Sequence, residues 1–111
     1  MYPIEYSIVY VYTLIQSSEF NAWLEKLRDL RAKAKIIARL RSATYGNFGD
    51  CKPVGEGISE MRIHVGAGYR IYYVRTQLTV YFLLIGGDKS SQGRDIVRAK
   101  QMARKLKGEN Q

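Results

Sequence analysis

The chain predicts an α+β domain: two N-terminal helices and a C-terminal helix packed on one face of a twisted, mainly antiparallel sheet of four to five strands. Three observations lead there. Apolar residues recur at helical spacing from Phe20 to Ala43 and again from Ile96 to Leu106. Two arms of alternating polarity, 60–65 and 69–74, flank Gly66-Ala67-Gly68 as the strands of a hairpin flank its turn. A nearly continuous apolar run over 78–85 has the composition of a strand covered on both faces.

Residues 6–15, rich in Tyr, Val and Ile, read as the first strand, with Pro3 marking its earliest start. Ser17 and Ser18 offer an N-cap, and Glu19 suits the first turn of a helix carrying Phe20, Trp23, Leu24, Leu27 and Leu30. The spacing of Trp23 assigns it to core packing. A second helix follows over 31–44, with Ala32, Ile36, Ile37, Leu40 and Ala43 on its apolar stripe. Its other face is basic: Arg31, Lys33, Lys35, Arg39 and Arg41. That face is either solvated or a nucleic-acid or partner surface.

Gly, Asn and Asp mark 45–50 as a loop. Residues 51–54 form a short edge strand, because Pro53 is tolerated only near an edge. Gly55-Glu56-Gly57 is a turn, and the hairpin follows. Gly86-Gly87-Asp88 ends the apolar strand, and Ser90, Ser91 or Asp88 caps the final helix. No repeat, linker or low-complexity tract interrupts the pattern, so 1–111 is expected to fold as a single domain.

The hydrophobic fraction of 46% in 111 residues is enough for one real core. Eighteen Lys and Arg against ten Asp and Glu leave a formal charge of +8, an argument about partners rather than fold. Nucleic acid is the first candidate, an acidic protein the second and an anionic membrane surface the third. Cys51 is the sole cysteine, which excludes an intrachain disulfide and a Cys-rich metal site. The apolar start, 1–15, lacks a basic leader, carries Glu5 and is too short to span a bilayer, so the chain reads as cytoplasmic with no membrane partner.

The hairpin concentrates the chemistry. With Gly66-Ala67-Gly68 as the loop, Val65 is expected to pair with Tyr69, His64 with Arg70, Ile63 with Ile71 and Arg62 with Tyr72. Met61, Ile63, Val65, Tyr69, Ile71 and Tyr73 then make an apolar face. The other face gathers Arg62, His64, Arg70 and Tyr72. A sheet has no structural need for two guanidiniums beside its only imidazole, so this face predicts a site for an anionic partner.

The segments 47–57, 60–63, 66–72 and 86–90, in that order, resemble the HigB-type, phage Gp49-like addiction-module killer proteins of the RelE/ParE toxin superfamily. The resemblance covers about residues 12–107, and residues 1–11 read as an N-terminal extension. It implies a RelE/ParE-like toxin domain neutralised by a cognate antitoxin, often one with a helix-turn-helix domain. RelE-like and HigB-like members are mRNA interferases that cleave mRNA on the ribosome without a metal or other cofactor. ParE-like members instead poison DNA gyrase. The resemblance maps Arg70 onto the hairpin arginine of the RelE pattern, Arg62 and His64 onto two lysines, and Lys89 near the basic residue after the central strand. The final-helix tyrosine of that pattern has no counterpart here; Asp95 is the nearest match.

Metal-free RNA cleavage needs a base for the 2′-hydroxyl, cations for the phosphate and an acid for the leaving oxygen. Histidine suits proton transfer, with an unperturbed pKa of about 6.5, and arginine offers the phosphate a planar fork of donors. Arg70 and Arg62 are therefore assigned the phosphate and His64 the proton transfer, in the neutral form that flanking arginines favour. Lys89 and Lys52 bind in support, Tyr72 stacks on a base or positions the RNA, and Arg39 and Arg41 extend the RNA-binding surface. Two alternatives stay open: a gyrase inhibitor acting by binding, and an inactive nucleic-acid-binding protein of prophage origin.

Overall fold

The computed structural model describes residues 11–109. Strand β1 (Thr13–Gln16) leads to helices α1 (Ser18–Lys26) and α2 (Leu30–Thr44). Strands β2 (Cys51–Gly55), β3 (Ile58–Ile63), β4 (Tyr69–Gln77) and β5 (Val80–Gly87) follow. A 3₁₀ turn (Lys89–Ser91) then enters α3 (Gln92–Glu109). The five strands lie in the order β1-β5-β4-β3-β2, with β1 parallel to β5 and every other pair antiparallel. The expected first strand is confirmed over its last residues, while its 6–10 portion and the extension before Val11 lie outside the described residues.

Local chemistry starts both early helices. Ser17 has extended backbone, and its Oγ accepts the Phe20 N–H at 2.9 Å while donating to the Leu84 carbonyl at 2.5 Å. One hydroxyl thus caps α1 and ties it to β5. Asp29 caps α2 by accepting the Ala32 N–H at 3.0 Å. Asp88 caps the 3₁₀ turn, and Ser91 returns the favour by accepting the Asp88 N–H at 3.2 Å.

The helices do not share one face of the sheet. Phe20, Leu24, Ile36 and Leu40 of α1 and α2 pack with Met61, Ile71 and Leu83. On the opposite face Ala99, Ile96 and Met102 of α3 pack with Ile58, Tyr72 and Leu84. The signal for this correction is the apolar run of β5. Leu83 and Leu84 are both buried, and adjacent strand residues face opposite ways, so both sheet faces are covered. Ile37, expected on the α2 stripe, is exposed, and Leu78 lies in the exposed β4–β5 turn.

The hairpin register also differs from expectation. β3 ends at Ile63, and a loop over 64–68 is closed by Val65 N–H to the Ile63 carbonyl (3.0 Å) and Gly68 N–H to the Val65 carbonyl (3.1 Å). Every pairing moves by two: Ile63 faces Tyr69, Met61 faces Ile71, Arg62 faces Arg70 and Glu60 faces Tyr72. A two-residue shift preserves facing, so Met61, Ile63, Tyr69, Ile71 and Tyr73 still form the apolar face. The polar face acquires Glu60 and loses His64 to the loop.

α1 approaches β5 closely because Gly86 has no side chain. A Cβ there would enter the Trp23 ring, which packs against the core. Gly86→Ala is expected to destabilise the fold by about 1–3 kcal/mol through overpacking. Urea denaturation checks this, and an unchanged midpoint would mean that the indole moves aside freely.

Candidate functional site

At the loop end of the hairpin, Arg62 and Arg70 stand directly opposite each other. Like charges in that position repel, and two carboxylates compensate. Asp50 accepts from Arg62 Nη2 at 3.0 Å through Oδ1, and its Oδ2 lies 2.5 Å from His64 Nε2. These bonds, His64 first and Arg62 second, hold the Asp50 carboxyl below the usual aspartate range. Glu60, fully buried, lies 3.6 Å from Arg70 Nε. The same Glu60 oxygen accepts from Tyr72 OH at 3.0 Å and from Gln92 Nε2 of α3 at 2.8 Å. Arg70 Nη1 donates to the Gly68 carbonyl at 2.8 Å.

The loop that carries Asp50 is anchored from two sides. Phe48 stacks on Tyr73 at 5.3 Å and packs against Tyr81 at 4.7 Å. Arg39 donates to the carbonyls of Arg62 (2.7 Å), Phe48 (2.9 Å) and Asp50 (3.3 Å). The guanidinium passes so close to Gly49, which has φ +69°, that a Cβ there would lie 2.6 Å from Nη2. Arg39 is therefore a clamp between α2, the 45–50 loop and β3, and not part of a free basic face.

The other expected site residues divide clearly. Arg62, His64, Arg70 and Lys89 gather at the loop end. The Lys89 N–H donates to the Ala67 carbonyl at 3.4 Å, and its side chain is exposed beside Gly68. Lys52 pairs with Glu60 across the β2–β3 ladder, which puts it on the Arg62/Arg70 face, exposed on the edge strand. Arg41 is exposed on α2. Tyr72 is the clear correction. It is wholly buried beneath α3, where desolvation and then the Glu60 bond push its hydroxyl well above the usual phenol range. It cannot stack on a base. Cys51 donates to the Phe48 carbonyl at 3.2 Å and packs against the core, as expected of a small edge residue.

His64 also lines a groove of about 340 Å³ with Lys35, Ala38, Arg39, Ser42 and Ile63. A larger groove of about 660 Å³ runs between α3 and the β2–β3 turn, with Glu56, Val74, Arg104 and Leu106 among its walls. It shares no residue with the cationic cluster. Its one carboxylate, Glu56, is taken by Arg104 through two bonds of 2.8 Å. The chemistry therefore points to the loop end of the hairpin. No helix of the described residues is long and apolar enough to cross a membrane.

No family model matches the chain. An uncharacterised protein of Haemophilus influenzae is 52% identical over 87 residues, spanning 78% of this chain and 88% of its own length. The chain belongs to that protein's family. Among solved structures, a free double-arginine mutant of the Escherichia coli toxin RelE superposes with a TM-score of 0.66. The match covers 82% of this chain and 96% of that one, at 16% identity. The fold is RelE-like.

Within this RelE-like fold, sequence reasoning missed Asp50 and Glu60. Glu60 was legible in principle, since it precedes Arg62 by two and shares its strand face. Asp50, 12 and 14 residues from its partners, left no local signal. On the final helix, Asp95 is buried against Gly87 and accepts from Ser91 Oγ at 2.5 Å.

Two measurements check this reading. Arg39→Ala should cost about 2 kcal/mol through its lost charge-assisted bonds, whereas Arg41→Ala should stay within about 0.5 kcal/mol; equal effects in urea titrations would refute the clamp. The depressed Asp50 carboxyl makes its contribution to stability complete above the ordinary aspartate pKa of about 3.9. That contribution disappears as pH falls through the lower folded-state value. The stability difference between wild type and Asp50→Asn should therefore close in strong acid, and a gap that persists there would mean the contact is not ionic.

Proposed function

We propose that the chain is the HigB-type toxin of a type II toxin–antitoxin pair. In this reading it is a metal-independent, ribosome-dependent mRNA endoribonuclease that inhibits translation in the cytoplasm. The observation that carries this reading is the meeting of Arg62, His64, Arg70 and Lys89 at one exposed end of a hairpin, on a fold similar to that of the toxin RelE. Arg70 and Arg62 bind the scissile phosphate, with Arg70 presented by the Gly68 carbonyl and by buried Glu60. His64 moves the proton, and Lys89 and Lys52 add cations along the RNA. The exposed α2 cations Lys35 and Arg41 extend the attraction to ribosomal RNA or to an acidic antitoxin segment. The antitoxin is expected to be a helix-turn-helix protein.

One observation favours a second reading. The final helix offers buried Asp95 where the RelE pattern has a tyrosine, so His64 is left as the one imidazole for proton transfer in the cluster. A protein that binds and inhibits DNA gyrase needs no such carrier. An inactive nucleic-acid-binding protein of prophage origin needs none either.

Expression should arrest growth. Arg70→Ala and His64→Ala should relieve the arrest while the proteins stay folded, with losses of about 10²- to 10⁴-fold in cleavage for the histidine. Primer extension after induction should show translation-dependent cuts within codons. Intact transcripts with double-strand DNA breaks would establish the gyrase reading instead. Full toxicity of both variants would remove the hairpin end as the site, and absence of any arrest would favour the inactive protein.

A further inference from the structure

We infer that Asp50 is the positioning residue for His64: its carboxylate holds the imidazole with the proton on Nε2 and leaves Nδ1 as the nitrogen that accepts a proton from substrate. The consequence for cleavage rests on the nuclease reading above; the hydrogen-bond geometry does not.

The argument begins with what each group can do. An ionised carboxylate only accepts, and a neutral imidazole carries one N–H. With Oδ2 at 2.5 Å from Nε2, the nitrogen facing Asp50 must be the protonated one. Nδ1 has no hydrogen-bond partner among the described residues. The His64 side chain is 72% exposed, so little besides this bond restrains its rotamer.

Asp50 is itself held for the task. Its carbonyl accepts the Arg62 N–H at 2.9 Å and an Arg39 Nη2 bond at 3.3 Å, while neighbouring Phe48 is fixed among Tyr73 and Tyr81. Its second oxygen takes Arg62 at 3.0 Å. One carboxylate therefore sets the spacing between the proposed base and a proposed phosphate ligand, the geometry that proximity catalysis requires.

In the step this arrangement serves, the 2′-hydroxyl proton passes to His64 Nδ1 as the 2′-oxygen bonds to phosphorus. The bond from phosphorus to the 5′-oxygen breaks, and that oxygen takes a proton from solvent. A 2′,3′-cyclic phosphate and a free 5′-hydroxyl result. The imidazolium keeps its Nε2–H on Asp50, whose charge faces the positive ring. A carboxylate that merely neutralised Arg62 would do the reverse, weakening the pull on phosphate.

The test has two readouts on the full chain. Ring ¹⁵N shifts at about pH 8, above the ordinary histidine range, should report an Nε2–H tautomer in wild type and a more mixed population in Asp50→Ala. Steady-state cleavage of mRNA on programmed ribosomes should fall about 10- to 100-fold in kcat for Asp50→Ala, the size of effect typical of a residue that orients another, with KM unchanged or lower and partial recovery in Asp50→Glu. A tautomer population that ignores Asp50 overturns the inference, as does undiminished or faster cleavage. If wild type cleaves no mRNA, the nuclease reading falls and the positioning role falls with it. The ring shifts still decide the hydrogen bond.

Discussion

Arg62 and Arg70 face each other across the β3–β4 ladder, and the surrounding structure is organised around that repulsion. Two guanidiniums at cross-strand spacing need nearby negative charge. Asp50 supplies it from a loop and Glu60 from within the sheet. Each solution has structural consequences. Buried Glu60 needs donors, which come from Tyr72 on β4 and Gln92 at the start of α3, so the site helps to seat the last helix. The loop that carries Asp50 needs anchors, which come from Arg39 on α2 and from Phe48 among the aromatic residues. The elements that hold the cations in place are therefore also those that close the two cores.

The polar network beneath the hairpin is incompletely satisfied. Glu60 Oε1, Arg62 Nε and Arg70 Nε are buried without hydrogen-bond partners. Groups of this kind cost stability, and natural proteins tolerate them mainly where a site needs them. The 3.6 Å separation of Arg70 Nε from Glu60 orients the guanidinium without consuming its donors. With Nε buried and Nη1 bound to the Gly68 carbonyl, Arg70 is held in place at the expense of an ideal buried ion pair.

A RelE-like fold by itself does not fix the activity, because folds host several chemistries and the site decides among them. Here the final helix contributes a buried acid, Asp95, held by Ser91 and pressed against Gly87, where it serves packing and the turn before α3. The one imidazole of the cluster therefore lies on the exposed hairpin loop, with its Nε2 at 2.5 Å from the Asp50 carboxylate.

The order of elements, the caps at Ser17 and Asp88, the apolar face of the hairpin and the cationic character of its other face were legible in the chain alone. Alternation and helical spacing are local properties, and a two-residue slip in register leaves strand facing unchanged. What required the tertiary structure was whatever depends on partners distant in sequence. The placement of α3 on the opposite sheet face, the burial of Tyr72 and the diversion of Arg39 into a clamp all arise from packing between remote elements. The contact between Asp50 and His64 is of the same kind: a loop carboxylate meets a hairpin imidazole only because β2 and β3 pair, and no spacing along the chain encodes that meeting.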